Sequence, residues 1–249
     1  MFIDIATVYV NAFGVFLSAA AVGLLTLGGV RAGLKPVQLA WTVGAAGATL
    51  SVWFAAMGPL AMAGCLMPPS TLADPPFVLI PLIGGAALLW GGGRFTGKGQ
   101  DLLGALDQRH LIGFQVFRMM GVLFLVGWAM GDIPWQFALP AGLGDVWAGV
   151  AAVQALVALN RGAHTARTLV VRANVIGLAD FTVAVGLGLI TSEGFLHLAA
   201  RETPNIINLY PLALFPSFFV PLFIAFHLFS LHALRRPGRN AAAGSLHAR

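Results

Sequence analysis

The sequence predicts an all-α, polytopic integral membrane protein with seven transmembrane helices, the N-terminus outside and the C-terminus in the cytoplasm. Its composition is the first observation: 58% of the residues are hydrophobic and only 9% are charged, whereas a soluble domain has about 25% charged residues. Its mean hydropathy of +0.86 is the second. The third is the arrangement of apolar segments and basic loops along the chain, which fixes the number and direction of the crossings.

Seven apolar segments are near or above the roughly 17–25 residues that a helix needs to cross a bilayer. They cover residues 6–30, 37–65, 76–93, 111–130, 141–159, 173–191 and 206–234. The third and the fifth are the shortest. We therefore expect residues 1–234 to form one seven-helix transmembrane domain.

Basic residues cluster in every second connection, which determines the expected orientation. These clusters are Arg31 and Lys35; Arg94, Lys98 and Arg109; Arg161, Arg167 and Arg172; and Arg235, Arg236 and Arg239. The other connections contain mainly acidic residues, such as Asp74, Asp132 and Glu193. By the positive-inside rule the basic connections face the cytoplasm, and the expected location is the bacterial cytoplasmic (inner) membrane. Residues 235–249 are then a basic cytoplasmic tail, which we expect to be disordered near anionic lipid.

Composition and motifs also exclude several functions. The net charge of +5 is explained by the topology signals, so no nucleic-acid partner is expected. The single cysteine, Cys65, excludes an internal disulfide and an all-cysteine metal cluster. The chain has neither an HExxH zinc motif nor a GxSxG nucleophile motif. No catalytic residue, metal site or oligomeric state is therefore predicted, and the expected partners are the lipid bilayer and a proton or small ligand.

The most informative residue is Arg118, which lies inside the apolar segment 111–130. A guanidinium stays charged in proteins, so within hydrocarbon it needs an acceptor or water. Asp180 and His227 lie on other segments, each eight residues from a basic boundary residue, and Arg118 lies nine residues from its own. At 1.5 Å per residue these distances place all three about 12–14 Å from their boundaries, in one layer. We expect Arg118 and Asp180 to form a buried ion pair, with Gln115, one turn away, as an additional partner of Arg118.

Asp145 is the candidate for the outer mouth of the bundle. Pro140 suits the first turn of the fifth helix, where its missing N–H is not needed, and Asp145 would then lie just under the outer surface. There it either interacts with the helix dipole or lines an outward-facing entrance. Pro216 and His227 are eleven residues apart and share a face, so we expect a proline-kinked seventh helix that points His227 inward.

The leading functional hypothesis is a small permease, channel or sensor that handles a proton or small ligand through Arg118, Asp180, His227, Gln115 and Asp145. An alternative is a membrane electron carrier that binds haem non-covalently through His227 with His110 or His232, since no CxxCH attachment motif exists. A third hypothesis is a structural or assembly subunit in which the polar layer only fixes helix register.

Two similarities to known motifs are rejected. Residues 92–99, GGRFTGKG, resemble a phosphate-binding loop, but Gly99 stands where Ser or Thr should hold magnesium, so a flexible basic cytoplasmic loop is expected.

Seven passes with an external N-terminus resemble the microbial rhodopsins in topology alone. The only lysines, Lys35 and Lys98, lie in cytoplasmic connections, which excludes a retinal Schiff base in the seventh helix.

Overall fold

The computed structural model describes residues 1–235, and helix is the only regular secondary structure among them. The predicted tail therefore lies outside the described residues, apart from Arg235. The helices are α1 (Phe2–Arg31), α2 (Pro36–Met62), α3 (80–95), α4 (Gly97–Ala105), α5 (Gln108–Ala129), α6 (Trp135–Asn160), α7 (Ala166–Thr191) and α8 (Phe215–Leu234).

Six of these helices, α1, α2, α5, α6, α7 and α8, are long and apolar enough to cross a membrane. The prediction of an all-α protein with several candidate membrane spans is confirmed at this level. The third predicted segment, 76–93, gives the shorter helix α3, which consists of five π-helical residues, Ile80–Gly84, and eleven α-helical residues, Gly85–Phe95. Such a helix is about 24 Å long, against a hydrocarbon core of about 30 Å.

Prolines move two helix boundaries away from the predicted ones. Helix α6 begins at Trp135 because Pro134, in an extended conformation (φ −66°, ψ 140°), occupies its N-cap position. Pro140 consequently lies inside the helix, and its predicted place in the first turn is wrong. Helix α8 begins only at Phe215, so Pro211, whose peptide bond with Tyr210 is cis, precedes the helix.

Residues 92–99 are helical for much of their length, so the predicted loop is also wrong. Thr96 caps α4 by accepting a hydrogen bond from the backbone N–H of Gly99 at 3.0 Å. The Thr96 hydroxyl donates to the carbonyl of Gly92 at 2.6 Å. A side chain at Gly99 would overlap that carbonyl, and its absence therefore lets α4 fold back against the end of α3.

The core of the bundle is rich in phenylalanine, most of it on α5 and α8, and α1, α6 and α7 also contribute residues. Phe114 of α5 stacks on Phe226 of α8 with ring centroids 3.9 Å apart. Phe218, Phe219 and Phe223 of α8 are fully buried. Helix α2, in contrast, contributes few residues to the core: Leu50, Met57, Gly58 and Ala61 are the buried ones among its 27 residues.

Candidate functional site

Arg118 lies at the centre of the bundle, fully buried, and holds two carboxylates. Its Nε donates a hydrogen bond to Asp145 Oδ1 at 2.9 Å, and Nη2 lies 2.7 Å from the same oxygen. Nη2 also pairs with Asp180 Oδ2. The exposed fractions of Asp145 and Asp180 are only 6% and 9%. The structure thus forms the predicted Arg118–Asp180 pair and adds Asp145 to it.

The remaining side of the guanidinium is also fully engaged. Arg118 Nη1 donates to the carbonyl of Gly177 at 2.8 Å and lies 3.4 Å from His227 Nε2. The guanidinium carbon lies 3.7 Å from the centroid of the Phe181 ring, a cation–π contact. A guanidinium has five N–H donors, and each of its three nitrogens here faces as many acceptors as it has hydrogens.

The hydrogen bonds around His227 define which of its ring nitrogens carries the proton. Asn174 Nδ2 donates to Ser230 Oγ and to the carbonyl of Val170, both at 2.8 Å, so Asn174 Oδ1 is an acceptor. His227 Nδ1, 2.9 Å from that oxygen, is therefore the protonated nitrogen. Nε2 keeps its lone pair and accepts from Arg118. His227 is thus a neutral imidazole, which suits a fully buried ring next to a guanidinium.

A continuous polar chain connects the ion pair to the end of the bundle where the basic residues lie. Ser230 Oγ accepts a hydrogen bond from Gln108 Nε2 as well as from Asn174. Gln108 is in the first turn of α5 and is 8% exposed. The chain therefore runs from Gln108 through Ser230, Asn174 and His227 to Arg118.

Three glycines provide the space for these polar side chains. A Cβ at Gly144 of α6 would overlap Asp180, and a Cβ at Gly121 of α5 would overlap Asp145. A Cβ at Gly177 of α7 would overlap His227 and lie 2.7 Å from Arg118 Nη1. Small residues are thus placed where α5, α6 and α7 approach the ion pair, which is how membrane helices reach close contact.

The structure places Asp145 elsewhere than predicted. Its predicted place is the outer entrance, whereas it contacts Arg118 in the interior. The cause is the early start of α6: Asp145 lies ten residues after Trp135, which is about 15 Å along the helix. A helix beginning at Pro140 would have left Asp145 near the surface.

Gln115 is not a partner of Arg118, although both lie in the 3₁₀-helical part of α5, Phe114–Gly121, and share a face. Its Nε2 donates to the carbonyl of Phe223 at 3.1 Å. Its Oε1 is buried and has no hydrogen-bond partner among residues 1–235. Gln115 therefore fastens α5 to α8 rather than extending the ion pair.

Several site residues were missed in the sequence although a signal for them exists. Asn174, Gly177 and Phe181 are separated by three and four residues on α7, as is usual for residues on one helix face. Ser230 lies three residues after His227 on α8. Gly177 likewise lies three residues before Asp180, and spacings of three or four residues mark a shared helix face.

A cavity of about 60 Å³ lies beside the ion pair. Asp145 and Asn208 are its polar lining residues, and the rest of the lining is apolar. The three π- or 3₁₀-helical segments within residues 1–235 all contribute to its wall: Leu82 from the π-turn of α3, Met120 from the 3₁₀ segment of α5, and Pro216 from the π-turn of α8. Since one water needs about 10–15 Å³, the cavity has room for several waters or a small ligand.

The histidines do not fit the haem alternative. Both ring nitrogens of His227 are in hydrogen bonds, so axial ligation would have to displace Arg118 or Asn174. His110 Nδ1 lies 3.0 Å from Asp107 Oδ1 near the end of the bundle. His232 lines a cavity of only about 20 Å³, far below the roughly 300–1,000 Å³ of ligand sites.

Comparison with known proteins gives a family but no activity. No curated protein and no solved structure matches the sequence. The family model described as "Domain of unknown function (DUF8737)" matches residues 75–235, more than half of the 249-residue chain. The match includes helices α3 to α8 and every residue of the ion pair and its polar chain. The protein therefore belongs to this family of unknown function, DUF8737.

Proposed function

We propose that this chain is a small membrane permease, channel or sensor that binds and releases a proton at the cluster formed by Arg118, Asp145 and Asp180. The observation that carries the proposal is the charge count. Two carboxylates face one guanidinium, and His227 is neutral. With both carboxylates ionised, the buried cluster has one net negative charge, and one proton makes it neutral. Because a net charge in the interior costs several kcal/mol, the cluster is a natural proton-binding site.

Two features support access to this cluster from opposite directions. The chain from Gln108 to His227 approaches Arg118 from the basic end of the bundle. The cavity approaches Asp145 from the side of Asn208, which lies in the connection between α7 and α8. In the proposed mechanism, a small ligand in the cavity changes the affinity of Asp145 and Asp180 for the proton. Movement of Arg118 between the two carboxylates would then select which carboxylate accepts the proton.

The proposal includes seven crossings, with the N-terminus outside the cytoplasmic (inner) membrane of a bacterium. Its support is that the stretch of chain that contains α3 has contacts at both ends of the bundle. Before α3, the Pro69 carbonyl accepts a hydrogen bond from Phe195 N at 2.9 Å, in the connection after α7. At its other end, Gly93 abuts Leu103 of α4 and Phe229 of α8, near the last basic residues. These contacts of residues 69–95 support a seventh crossing at α3, short as that helix is.

The first experiment is a proton-flux assay on the purified protein in liposomes with an internal pH-sensitive dye. The wild type is expected to acidify the lumen when a gradient is imposed, with Asp180→Asn and Asp145→Asn reduced to the rate of empty liposomes. Asp101→Asn is the matched control, because Asp101 is an exposed carboxylate on α4, and it should behave as the wild type.

Infrared difference spectroscopy tests a sensor, which binds a proton without conducting it. A protonated carboxyl band should appear on acidification and be lost in Asp180→Asn or Asp145→Asn. If the wild type shows neither flux nor a titrating carboxyl band between neutral and mildly acidic pH, the proposal is wrong.

A second candidate function is a structural or assembly subunit in which the cluster only fixes helix register. The observation in its favour is that Arg118 of α5 connects to α6, α7 and α8 through Asp145, Asp180 and His227. In this case, carboxylate-to-amide variants lower stability and leave every flux measurement at the level of empty liposomes, wild type included.

A further inference from the structure

A second cavity lies away from the ion pair. It has a volume of about 320 Å³, within the range of roughly 300–1,000 Å³ that ligand cavities occupy. Its walls come from α1, α2, α3, α4 and α8, and most of its lining is apolar; the α2 residues are Thr42, Ala46, Thr49 and Leu50. Thr42 and Leu50 are eight residue steps apart, about 12 Å along the helix axis. The cavity is therefore an elongated groove.

The groove opens sideways rather than toward the centre of the bundle. Leu88 of α3, which lines it, is 79% exposed, and Thr49 on the opposite wall is also exposed. Helix α2 has no buried residue before Leu50, so its first half leaves the groove uncovered. If the long helices lie in a bilayer, the neighbouring molecule at this opening is a lipid.

One end of the groove has a positive charge. Lys98, at the start of α4, is part of the lining together with Thr96 and Gly99. Within residues 1–235, no ion pair or side-chain hydrogen bond is formed by Lys98. The GGRFTGKG stretch thus folds α4 back on α3 and brings an ammonium group to the basic end of an apolar groove.

We propose that this groove binds an anionic glycerophospholipid of the cytoplasmic leaflet, with one acyl chain along α2 and α3 and the headgroup phosphate at Lys98. The acyl chain gains little by leaving other lipid tails, because both environments are apolar. The net charge of the headgroup at Lys98 therefore decides which lipid is retained. The site prefers an anionic headgroup to a zwitterionic one, whose own cation offsets the phosphate. The proposal rests on the membrane location and orientation proposed above but does not depend on the proton-binding cluster.

The test is native mass spectrometry of the full-length protein in mild detergent, titrated with phosphatidylglycerol or phosphatidylcholine of identical chains. One phosphatidylglycerol should be retained in preference to phosphatidylcholine. Lys98→Gln should weaken that preference about fivefold, which is the effect of a single lysine at an anionic surface. Lys35→Gln is the matched control. It removes an exposed lysine that does not line the groove, and it should leave the preference unchanged.

The apolar part of the site is tested separately. Ala46→Phe and Thr49→Phe each fill the groove from α2 and should reduce retention of both lipids, with folding checked by circular dichroism; two variants are used in case one does not fold. Soluble glycerophosphate should not displace the lipid. The proposal is overturned if Lys98→Gln leaves the preference intact or if soluble glycerophosphate competes as well as phosphatidylglycerol does. It is also overturned if the phenylalanine variants lose a bound second copy of the chain, seen as a dimer mass, instead of a lipid.

Discussion

At the scale of single residues, Arg118 has a partner on every side of its guanidinium. It is fully buried and meets two carboxylates, a backbone carbonyl, a neutral imidazole and an aromatic ring. Each hydrogen bond to a charged group contributes about 1.5–3 kcal/mol. Replacing one member of this set lowers the free energy of unfolding most when the replacement leaves a buried charge unpaired. The members therefore differ in how much they contribute to stability.

Arg118→Met is expected to lower the free energy of unfolding by about 3–5 kcal/mol, because two carboxylates then remain buried without a cation. Asp180→Asn should cost only about 1.5–3 kcal/mol, because Arg118 and Asp145 still form a neutral pair. Unfolding by denaturing detergent in mixed micelles, with Asp101→Asn as the control, measures both values. Equal losses in the two variants would contradict the charge count.

Gly177→Ala is expected to destabilise the protein by about 1–3 kcal/mol, since the new Cβ overlaps His227 and crowds Arg118 in a packed interior. Gly186→Ala is the matched control on the same helix, where nothing lies within 4 Å of the Cβ. The control should be neutral or gain about 0.5–1 kcal/mol from the better helix former. Thermal unfolding in detergent measures the difference, and equal midpoints would mean that the site can relax around the methyl group.

At the scale of helices, the polar contacts decide which faces of α5, α7 and α8 meet. Asn174 of α7 donates to Ser230 and accepts from His227, both on α8. Buried amides that lose their partners cost about 1–3 kcal/mol. In a membrane, close packing and interhelical hydrogen bonds orient the helices, because lipid is as apolar as the side chains and supplies no hydrophobic driving force between helices.

Asn174→Leu is therefore expected to lower the free energy of unfolding by about 1–3 kcal/mol, since His227 Nδ1 and Ser230 lose a partner. Gln154→Leu on α6 removes an amide from an exposed position and should have no effect or a stabilising one. Denaturing-detergent titration compares the two variants. A neutral Asn174→Leu would mean that the polar chain contributes nothing to the packing of α7 on α8.

At the scale of the whole molecule, the proposed orientation depends on the side to which each connection belongs. Cys65, the single cysteine, is exposed and follows α2. Its segment lies at the end of the bundle opposite the basic connections. The chain thus contains a natural probe of its own topology.

A membrane-impermeant maleimide is expected to label Cys65 in intact right-side-out vesicles without permeabilisation. In a Cys65→Ser background, a cysteine introduced by Asp101→Cys in α4 should react only after permeabilisation or in inverted vesicles. Gel-shift detection of the label measures both. The opposite pattern would reverse the orientation, and equal labelling of both sites from one side would contradict seven crossings.

The sequence by itself determined the class of protein and showed that its interior must hold a buried positive charge. An apolar composition with few charges indicates a membrane environment, whatever the packing. Arg118 in an apolar segment demands a partner, and counting residues from the basic boundaries placed Asp180 and His227 at its depth, where the structure has them. Depth is readable from sequence because the rise per residue of a helix is constant.

Only the tertiary structure decided which residues face one another. Helix α6 begins early, after Pro134, and Asp145 therefore lies beside Arg118. Asn174 and Gly177 lie in the site because of the rotation of α7 about its own axis. Hydrophobic periodicity does not reveal that rotation, because residues that face lipid and residues that face the core are equally apolar. The lengths of apolar stretches likewise did not predict the short α3 or the groove beside α2, since both arise from how neighbouring helices pack.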